Sequence, residues 1–297
     1  MTRYTHRRDP LDHLLDDLAA PLGEVLGPLR AHRFGLGDHD GDEDDVLAAY
    51  REHAEELHER VVHDHDVSVA EFLGATGSGK TRLVERLVER APDDERVAVV
   101  VGDVAGDDDA RRYRQLGLEV ANVNTGKECH LDPGLVEDAI ADFDLDALDR
   151  LYLENVGNMV CPADFPLGAG VRVLVVSTTE GDDVVRKHPL LFQACDATVV
   201  NKVDIAEAVG ADVDAMRADV ADIAPGMSVF ETSAKHDEGI DDLAAFLAGR
   251  REAGHHHGHG AEHDHSHDPG HAHDPDHDHA HDPDHGHGHA SGHGHGE

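Results

Sequence analysis

Short apolar runs alternate with segments of helical periodicity along most of the chain. The apolar runs predict strands at 67–73, 97–103, 118–123, 151–154, 171–176, 198–200 and 229–230. Apolar residues spaced three or four apart predict helices at 81–90, 107–115 and 240–250, and one more that opens at Pro133 and includes Ile140. This alternation predicts an α/β fold: a doubly wound, mostly parallel sheet with helices on both faces and ligands at the carboxyl ends of its strands.

The two ends of the chain carry different patterns. Residues 11–33 and 46–62 have apolar residues near helical spacing, so we expect residues 1–62 to form a helical extension packed on the sheet. A partner-binding arm is the alternative interpretation of this region. Residues 63–252 contain the apolar runs and form the predicted globular domain. Residues 253–297 lack apolar segments and are predicted to be disordered.

Most of the chain's 28 histidines lie in this C-terminal tail, where they alternate with aspartate and glycine. A purification tag would be a contiguous run of histidines, so this interleaved pattern favours a metal-binding tail. We expect it to bind several Ni²⁺ or Zn²⁺ ions weakly through neutral imidazoles. The first candidate ligands are His255, His256, His257, His259, His263, His265 and His267.

The composition narrows the classes of function. The chain has 63 acidic and 25 basic residues, a formal charge of −38. This excess disfavours the compact state unless ions screen it, so we expect a halophilic protein from a salt-rich cytoplasm. Nucleic acid is not an expected partner, because binding to phosphates requires basic patches. Three separated cysteines do not indicate a disulfide framework, and the sequence offers neither a signal peptide nor a membrane-spanning segment.

One loop carries the clearest chemical signal. Residues 74–81, Gly-Ala-Thr-Gly-Ser-Gly-Lys-Thr, match the phosphate-loop pattern G-x-x-x-x-G-K-S/T between a predicted strand and a predicted helix. Backbone N–H groups of such a loop wrap a triphosphate at the amino end of a helix. We expect Lys80 to bind the β- and γ-phosphates and the Thr81 hydroxyl to ligate Mg²⁺. The other nucleotide-binding positions of the loop are Gly74, Gly77, Ser78 and Gly79.

Two later motifs indicate which base is bound. The run Asn201-Lys202-Val203-Asp204 follows one predicted strand, and Ser233-Ala234-Lys235 follows the next. They look like the N-K-x-D and S-A-K motifs of GTPases. The Asp204 carboxylate can accept hydrogen bonds from guanine N1–H and N2–H₂, whereas adenine offers no such pair of donors, so Asp204 is predicted to select GTP.

Carboxylates for Mg²⁺ are expected at the ends of two strands. Asp103 ends the strand 97–103, and Glu154 stands where GTPases have the aspartate of an Asp-x-x-Gly switch. Gly157 completes that pattern, and its amide can reach a γ-phosphate. We therefore expect Lys80, Asp103 and Glu154 to be catalytic; which carboxylate dominates at Mg²⁺ stays open.

A second, softer metal site is predicted from cysteine and histidine. Cys129 and His130 are adjacent in a loop, and Cys161 lies four residues after Gly157. Thiolates with an imidazole suit Ni²⁺, Zn²⁺ or Cu⁺ better than Mg²⁺. One chain supplies only three such ligands, and a two-fold dimer would bring two sets together. Cys195 lies in an apolar run and is interpreted as a buried structural residue.

The motifs together resemble the HypB family, the GTPases that insert nickel into nickel–iron hydrogenase. The most specific of them is the run from Leu153 to Pro162, Leu-Glu-Asn-Val-Gly-Asn-Met-Val-Cys-Pro, joined by Asn124-Thr125-Gly126 and Cys129-His130-Leu131-Asp132. Over about residues 45–250, the resemblance implies a SIMIBI-class P-loop fold and a GTP-dependent homodimer. It also implies nickel at Cys129, His130 and Cys161, and two partners: a HypA-type metallochaperone and the hydrogenase large subunit.

The chain departs from the family pattern in three places. Cysteine is absent before Cys129, so the amino-terminal nickel-binding cysteine motif of some members is missing. The histidine-rich segment is C-terminal rather than N-terminal. Gly106 stands near the second strand where relatives commonly have threonine, which leaves the switch I contact to Mg²⁺ open.

Two other classes of function compete with a nickel chaperone. One is a related GTPase for another client, such as urease or a zinc or cobalt enzyme. The Cys-Pro-His motif of UreG-like proteins is absent, since Ala163 follows Cys161-Pro162. The other is a metal-storage protein with a vestigial nucleotide site, and the complete phosphate loop argues against it.

Overall fold

The structure is a computed structural model that describes residues 43–104, 106–126, 130–159 and 165–255. Within these residues, seven strands form one parallel sheet in the order β3-β2-β4-β1-β5-β6-β7. The strands are β1 Ser68–Leu73, β2 Val97–Asp103, β3 Glu119–Asn124, β4 Arg150–Glu154, β5 Val171–Ser177, β6 Ala197–Asn201 and β7 Ser228–Thr232. Every predicted strand is present, and the predicted parallel α/β class is confirmed.

Helices connect the strands and cover both faces of the sheet. They are α1 Glu43–His58, α2 Lys80–Val88, α3 Asp108–Gln115, α4 Pro133–Ile140, α5 Val184–Lys187, α6 Pro189–Gln193, α7 Ala206–Val209, α8 Val213–Ile223 and α9 Ile240–His255. The predicted helices correspond to α1, α2, α3, α4 and α9, with bounds that differ by a few residues. The helices α5 to α8 were not predicted from the pattern, because most are one turn long and α8 buries only Met216 and Val220.

Alternation along the strands sorts side chains to the two faces. On β1, Ala70 and Phe72 join an apolar cluster with α2, α3 and α9 on one face. Val69 faces the opposite side, in a cluster with α1 and α4, and Leu73 faces the same side in a cluster with α5, α6 and α8. Glu71 lies between Val69 and Leu73 on this second face and is fully buried. A polar side chain thus separates two apolar clusters.

The segment before β1 continues from α1 without a break. A π-helical segment, Glu59–Asp64, follows α1 where a single helix was predicted for 46–62. Leu57 and Val61 are buried in the cluster with α4. Residues 11–33 and the tail beyond His255 lie outside the described residues. Within the described part of the chain, every helix is too short or too polar to cross a membrane.

Candidate functional site

The phosphate loop lies between the central strand β1 and α2. Gly74, Gly77 and Gly79 have φ of 140°, 81° and 103°, values that side chains other than glycine rarely adopt. A Cβ on Gly79 would lie 2.3 Å from Asn201 Nδ2. The buried Ser78 hydroxyl makes no hydrogen bond to the described residues. The loop therefore has the backbone of an anion cradle and a buried donor inside it.

Lys80 is folded back onto this loop. Its Nζ donates to the backbone oxygens of Gly74 (2.9 Å) and Ala75 (3.2 Å). Burial lowers the pKa of Lys80, and the negative charge of Glu154 opposes that shift. The ammonium group is thus buried beside the cradle, bound to neutral carbonyls that an anionic phosphate can replace.

Glu154 contacts the residue predicted to ligate Mg²⁺. The Thr81 hydroxyl donates to Glu154 Oε1 (2.7 Å), and the Tyr113 hydroxyl donates to Oε2 (2.5 Å). Burial raises the pKa of Glu154, and the charge of Lys80 opposes the rise. Asp103 ends β2 as predicted, half-buried, and its backbone oxygen accepts from Thr125 N at 2.8 Å. The hydroxyl and carboxylate oxygens gathered here are hard ligands, so they fit Mg²⁺.

Gly157 is held against the phosphate loop. Its carbonyl accepts a hydrogen bond from the Thr76 hydroxyl (3.1 Å), and the next residue, Asn158, forms an isolated antiparallel bridge with Gly74. A Cβ on Gly157 would lie 2.2 Å from Thr76 Oγ1, so only glycine fits. The switch-like segment and the phosphate loop are therefore in direct contact.

Asn201 and Lys202 brace the phosphate loop from the other side. Asn201 Nδ2 donates to Ser78 O (2.9 Å), and its Oδ1 accepts from the Thr232 hydroxyl and from Ala234 N, both at 3.1 Å. Lys202 Nζ donates to Gly77 O at 2.6 Å. Each side chain thus ties the end of β6 to the loop after β1.

A cleft of about 170 Å³ opens beside these contacts. Its lining includes Gly79, Arg82, Asp204, Ile205, Ala234 and Lys235. Asp204 Oδ1 accepts from the Ser233 hydroxyl at 2.6 Å, and that bond lowers the pKa of Asp204. The structure therefore gathers the residues of both predicted base-recognition motifs at one cleft next to the phosphate loop.

The predicted soft-metal site is described only at His130. This side chain is buried and stacks on Phe165, with ring centroids 4.0 Å apart and an interplanar angle of 26°. Cys129 and Cys161 lie outside the described residues. The described residues alone contain no group of three His, Cys, Asp or Glu side chains placed to hold an ion.

Cys195 and the tail complete the set of predicted residues. Cys195 was predicted to be buried but is half-buried, and burial raises the pKa of its thiol to about 12. A thiol with such a pKa stays protonated at neutral pH and is a poor metal ligand. His255 ends α9, and His256, His257, His259, His263, His265 and His267 lie outside the described residues.

Sequence reasoning missed a buried polar network beside the site. Glu71 of β1 binds Arg172 of β5 (2.9 Å) and Asn155 in the loop after β4 (2.8 Å). It also missed Tyr113, which orients Glu154. The available signal was a glutamate within the apolar run 67–73, because a charged residue on a buried strand requires a partner.

Comparisons with known proteins agree with this geometry. The family model for the CobW/HypB/UreG nucleotide-binding domain matches residues 68–231. A probable hydrogenase maturation factor HypB from Methanocaldococcus jannaschii is 44% identical over 203 residues, which cover 68% of this chain and 91% of the relative.

Two crystal structures are similar to the chain. HypB from Archaeoglobus fulgidus has a TM-score of 0.64 and 42% identity, covering 69% of this chain and 99% of that one. HypB from Helicobacter pylori in complex with nickel has a TM-score of 0.65 and 33% identity, covering 69% and 95%. The chain therefore belongs to the CobW/HypB/UreG family and, within it, to the HypB group.

Proposed function

We propose that the chain is a GTP-hydrolysing nickel metallochaperone that inserts nickel during the maturation of nickel–iron hydrogenase, with hydrolysis coupled to metal transfer. The observation that carries this proposal is the convergence at one cleft of the phosphate loop and both base motifs. Lys202 and Asn201 contact that loop directly, and Asp204 lines the same cleft. The family membership extends the proposal from nucleotide binding to nickel and hydrogenase.

The phosphate end supplies the residues for hydrolysis. Water attacks the γ-phosphorus, the bond to the β–γ bridging oxygen breaks, and GDP and inorganic phosphate form. Lys80 would leave its contact with Gly74 O and bind the β- and γ-phosphates, while the Gly157 amide holds a γ-oxygen. Bound Mg²⁺, held by Thr81 with Glu154 or Asp103, would neutralise charge on the phosphates.

The base end supplies selectivity. The hydrogen bond from Ser233 orients Asp204 and lowers its pKa, which favours the ionised carboxylate that would accept from guanine N1–H and N2–H₂. Lys235 lines the same cleft and would cover the base with its aliphatic stem. A base without this donor pair, such as adenine, leaves the carboxylate without hydrogen-bond partners, so ATP should bind more weakly than GTP.

Nickel is the cargo, and we assign it to Cys129, His130 and Cys161, with Zn²⁺ as a second ion of suitable chemistry. His130 is packed on Phe165, which stands four residues after Cys161 in the sequence. Cys129 directly precedes His130 in the sequence, so each cysteine is close along the chain to one of two rings that are in contact. This proximity supports a shared site. A GTP-dependent homodimer would add a second set of ligands.

The remaining parts of the proposal concern partners. A HypA-type metallochaperone would deliver nickel, the hydrogenase large subunit would receive it, and both exchanges would occur in the cytoplasm. The histidine-rich tail would store additional nickel, because neutral imidazoles bind it reversibly.

Nickel incorporation into metal-free hydrogenase large subunit tests the proposal. Wild-type protein loaded with nickel should deliver it with GTP and not with ATP. Lys80→Ala should lose both GTP hydrolysis and delivery, whereas Cys161→Ala should keep hydrolysis and lose delivery. Cys195→Ala is the matched control and should deliver normally. Normal delivery by Cys161→Ala, or equal delivery with ATP, would contradict the proposal.

A further inference from the structure

One buried amide side chain joins the nucleotide end to the loop that contains His130. Asn155 is 1% exposed and directly follows β4. Its Oδ1 accepts from Leu131 N (3.0 Å) and Val156 N (2.9 Å), and its Nδ2 donates to Glu71 Oε1 (2.8 Å). Backbone N–H groups only donate, so the amide oxygen must face Leu131 and Val156 and the NH₂ group must face Glu71.

The sheet itself fixes Glu71, the acceptor for Asn155. Glu71 and Arg172 are opposite each other in the register of β1 and β5, and Arg172 Nε donates to Glu71 Oε2 at 2.9 Å. Arg172 also donates to Ala194 O at 2.9 Å. Through Arg172, strands β1 and β5 and the end of α6 orient the Glu71 carboxylate. Asn155 is therefore hydrogen-bonded to a side chain of the central sheet.

The two N–H groups on Asn155 Oδ1 belong to segments with different contacts. Val156 leads into Gly157, which the Thr76 hydroxyl of the phosphate loop holds. Leu131 follows His130 and is fully buried against Gly102, where an added Cβ would lie 2.7 Å from Leu131 Cγ. A single oxygen therefore binds the segment beside the phosphate loop and the segment beside His130.

We propose that Asn155 is a positioning residue that couples the nucleotide state at Gly157 to the geometry of the loop around His130. The inference rests on the proposed function, in which Gly157 contacts the γ-phosphate and His130 is a nickel ligand. Gain or loss of the γ-phosphate shifts the segment of Gly157. Because Val156 N and Leu131 N share one acceptor, that shift weakens or strengthens the hold on Leu131 and so moves His130.

Nickel titration of the full chain tests this coupling. Absorption from nickel–thiolate charge transfer reports the cysteine site and excludes ions on the tail histidines, and Cys195→Ala confirms which thiols give the signal. With GDP and with a non-hydrolysable GTP analogue, wild-type affinities should differ by about 5–150-fold. In Asn155→Ala the two affinities should become equal, while binding of each guanine nucleotide persists.

Exchanging the donor and acceptor roles of residues 155 and 71 tests whether Asn155→Ala loses the nucleotide dependence through its hydrogen bonds or through a loss of folded structure. In the double variant Asn155→Asp with Glu71→Gln, the new glutamine amide donates and the new aspartate accepts, so every hydrogen bond has a partner again, and the negative charge near Arg172 moves from position 71 to position 155. We expect this double variant to regain the nucleotide dependence that Asn155→Ala loses. Thr198→Val, which removes a buried hydrogen bond to Met227, is the matched stability control and should keep the full ratio.

Hydrogen exchange on the wild-type chain requires no variant. The Leu131 amide should exchange at different rates in the GDP and GTP-analogue states. Identical rates, or an undiminished nickel ratio in Asn155→Ala, would overturn the role of Asn155 while leaving the proposed function standing. Equal nickel affinities in the wild-type chain would overturn the proposed coupling itself, and this inference with it.

Discussion

The two ends of the nucleotide site are held in place in different ways. At the base end, Asn201 makes three hydrogen bonds, one to Ser78 of the phosphate loop and two to Thr232 and Ala234 at the end of β7, and Lys202 adds a second contact to the phosphate loop. At the phosphate end, contacts of the segment of Gly157 within the described residues include the hydrogen bond from the Thr76 hydroxyl and the backbone bridge to Gly74.

This difference matches the tasks we assign to each end. Base selection requires a fixed carboxylate, and direct side-chain contacts provide one. Discrimination of GDP from GTP requires a segment whose contacts change when the γ-phosphate is gained or lost. The polar network of Glu71, Asn155 and Arg172 adjoins that segment and connects it to β1 and β5.

Removal of Arg172 should have the largest effect. The Arg172→Ala variant leaves the fully buried Glu71 carboxylate without its charged partner, and breaking a buried pair in this way costs about 3–5 kcal/mol of unfolding free energy. Arg186→Ala, which breaks an exposed pair with Asp219, should cost about 0–1 kcal/mol. Urea unfolding at fixed salt measures the unfolding free energy of both variants. Equal losses of unfolding free energy would show that the buried network does not stabilise the fold.

Breaking the base end should change specificity without changing the fold. In Asp204→Asn, an NH₂ donor replaces one of the two acceptor oxygens that face guanine N1–H and N2–H₂, so GTP binding should weaken by about 1–3 kcal/mol per unpaired group. Calorimetric titration with non-hydrolysable analogues of GTP and ATP measures the change. Asp214→Asn, an exposed aspartate on α8, is the control and should bind like the wild type. Unchanged GTP affinity in Asp204→Asn would show that the base assignment is wrong.

Tyr113→Phe should weaken the phosphate end in a pH-dependent way. The variant loses a buried hydrogen bond to Glu154, worth about 1.5 kcal/mol. Burial raises the pKa of Glu154 in the folded chain, and the Tyr113 hydrogen bond restrains that rise. A carboxyl with a raised folded pKa contributes stability at pH below its unfolded pKa, and this contribution disappears as pH rises through the folded value.

The stability difference between Tyr113→Phe and wild type should therefore grow as pH rises above the folded pKa of Glu154 in the wild type, because the variant's folded pKa is higher still. Urea unfolding at a series of pH values measures it. Tyr152→Phe removes a buried tyrosine hydroxyl that Arg150 contacts, leaves Glu154 untouched, and serves as control. A difference that stays constant with pH would exclude Tyr113 as a support for the Glu154 carboxylate.

Added salt should stabilise the whole fold, and with it the base end and the phosphate end of the nucleotide site alike. A formal charge of −38 is spread over the whole chain, and about 1 M salt screens charges beyond roughly 3 Å. The melting temperature of the wild-type chain should rise steadily with KCl, as differential scanning calorimetry would show. A melting temperature independent of KCl would contradict the expectation of a halophilic protein.

Local motifs explain why so much of the site was predictable. The phosphate loop and the base motifs are short runs that directly follow strands. Because the carboxyl ends of parallel strands lie at the same edge of a sheet, the sequence alone places residues such as Lys80 and Asp204 at that edge. The polar network has no such signature. Glu71 lies 84 residues from Asn155 and 101 from Arg172, so only the strand order and register bring them together.

The short helices likewise could not be predicted from the sequence pattern. Each of α5, α6 and α7 spans one turn or little more, too few residues for a period to appear in the sequence. Tyr113 was predicted as part of a helix, yet its contact with Glu154 depends on how α3 packs against β4. Packing of this kind is a tertiary property that periodicity does not encode.

Nickel affinity in the two nucleotide states tests the proposed coupling most directly. The full chain is titrated with nickel in the presence of GDP and of a non-hydrolysable GTP analogue, with the nickel–thiolate absorption as the signal. We expect affinities that differ by about 5–150-fold between the two states, and loss of the signal in Cys161→Ala. Equal affinities, or an unaltered signal in Cys161→Ala, would contradict a metal site controlled by GTP hydrolysis.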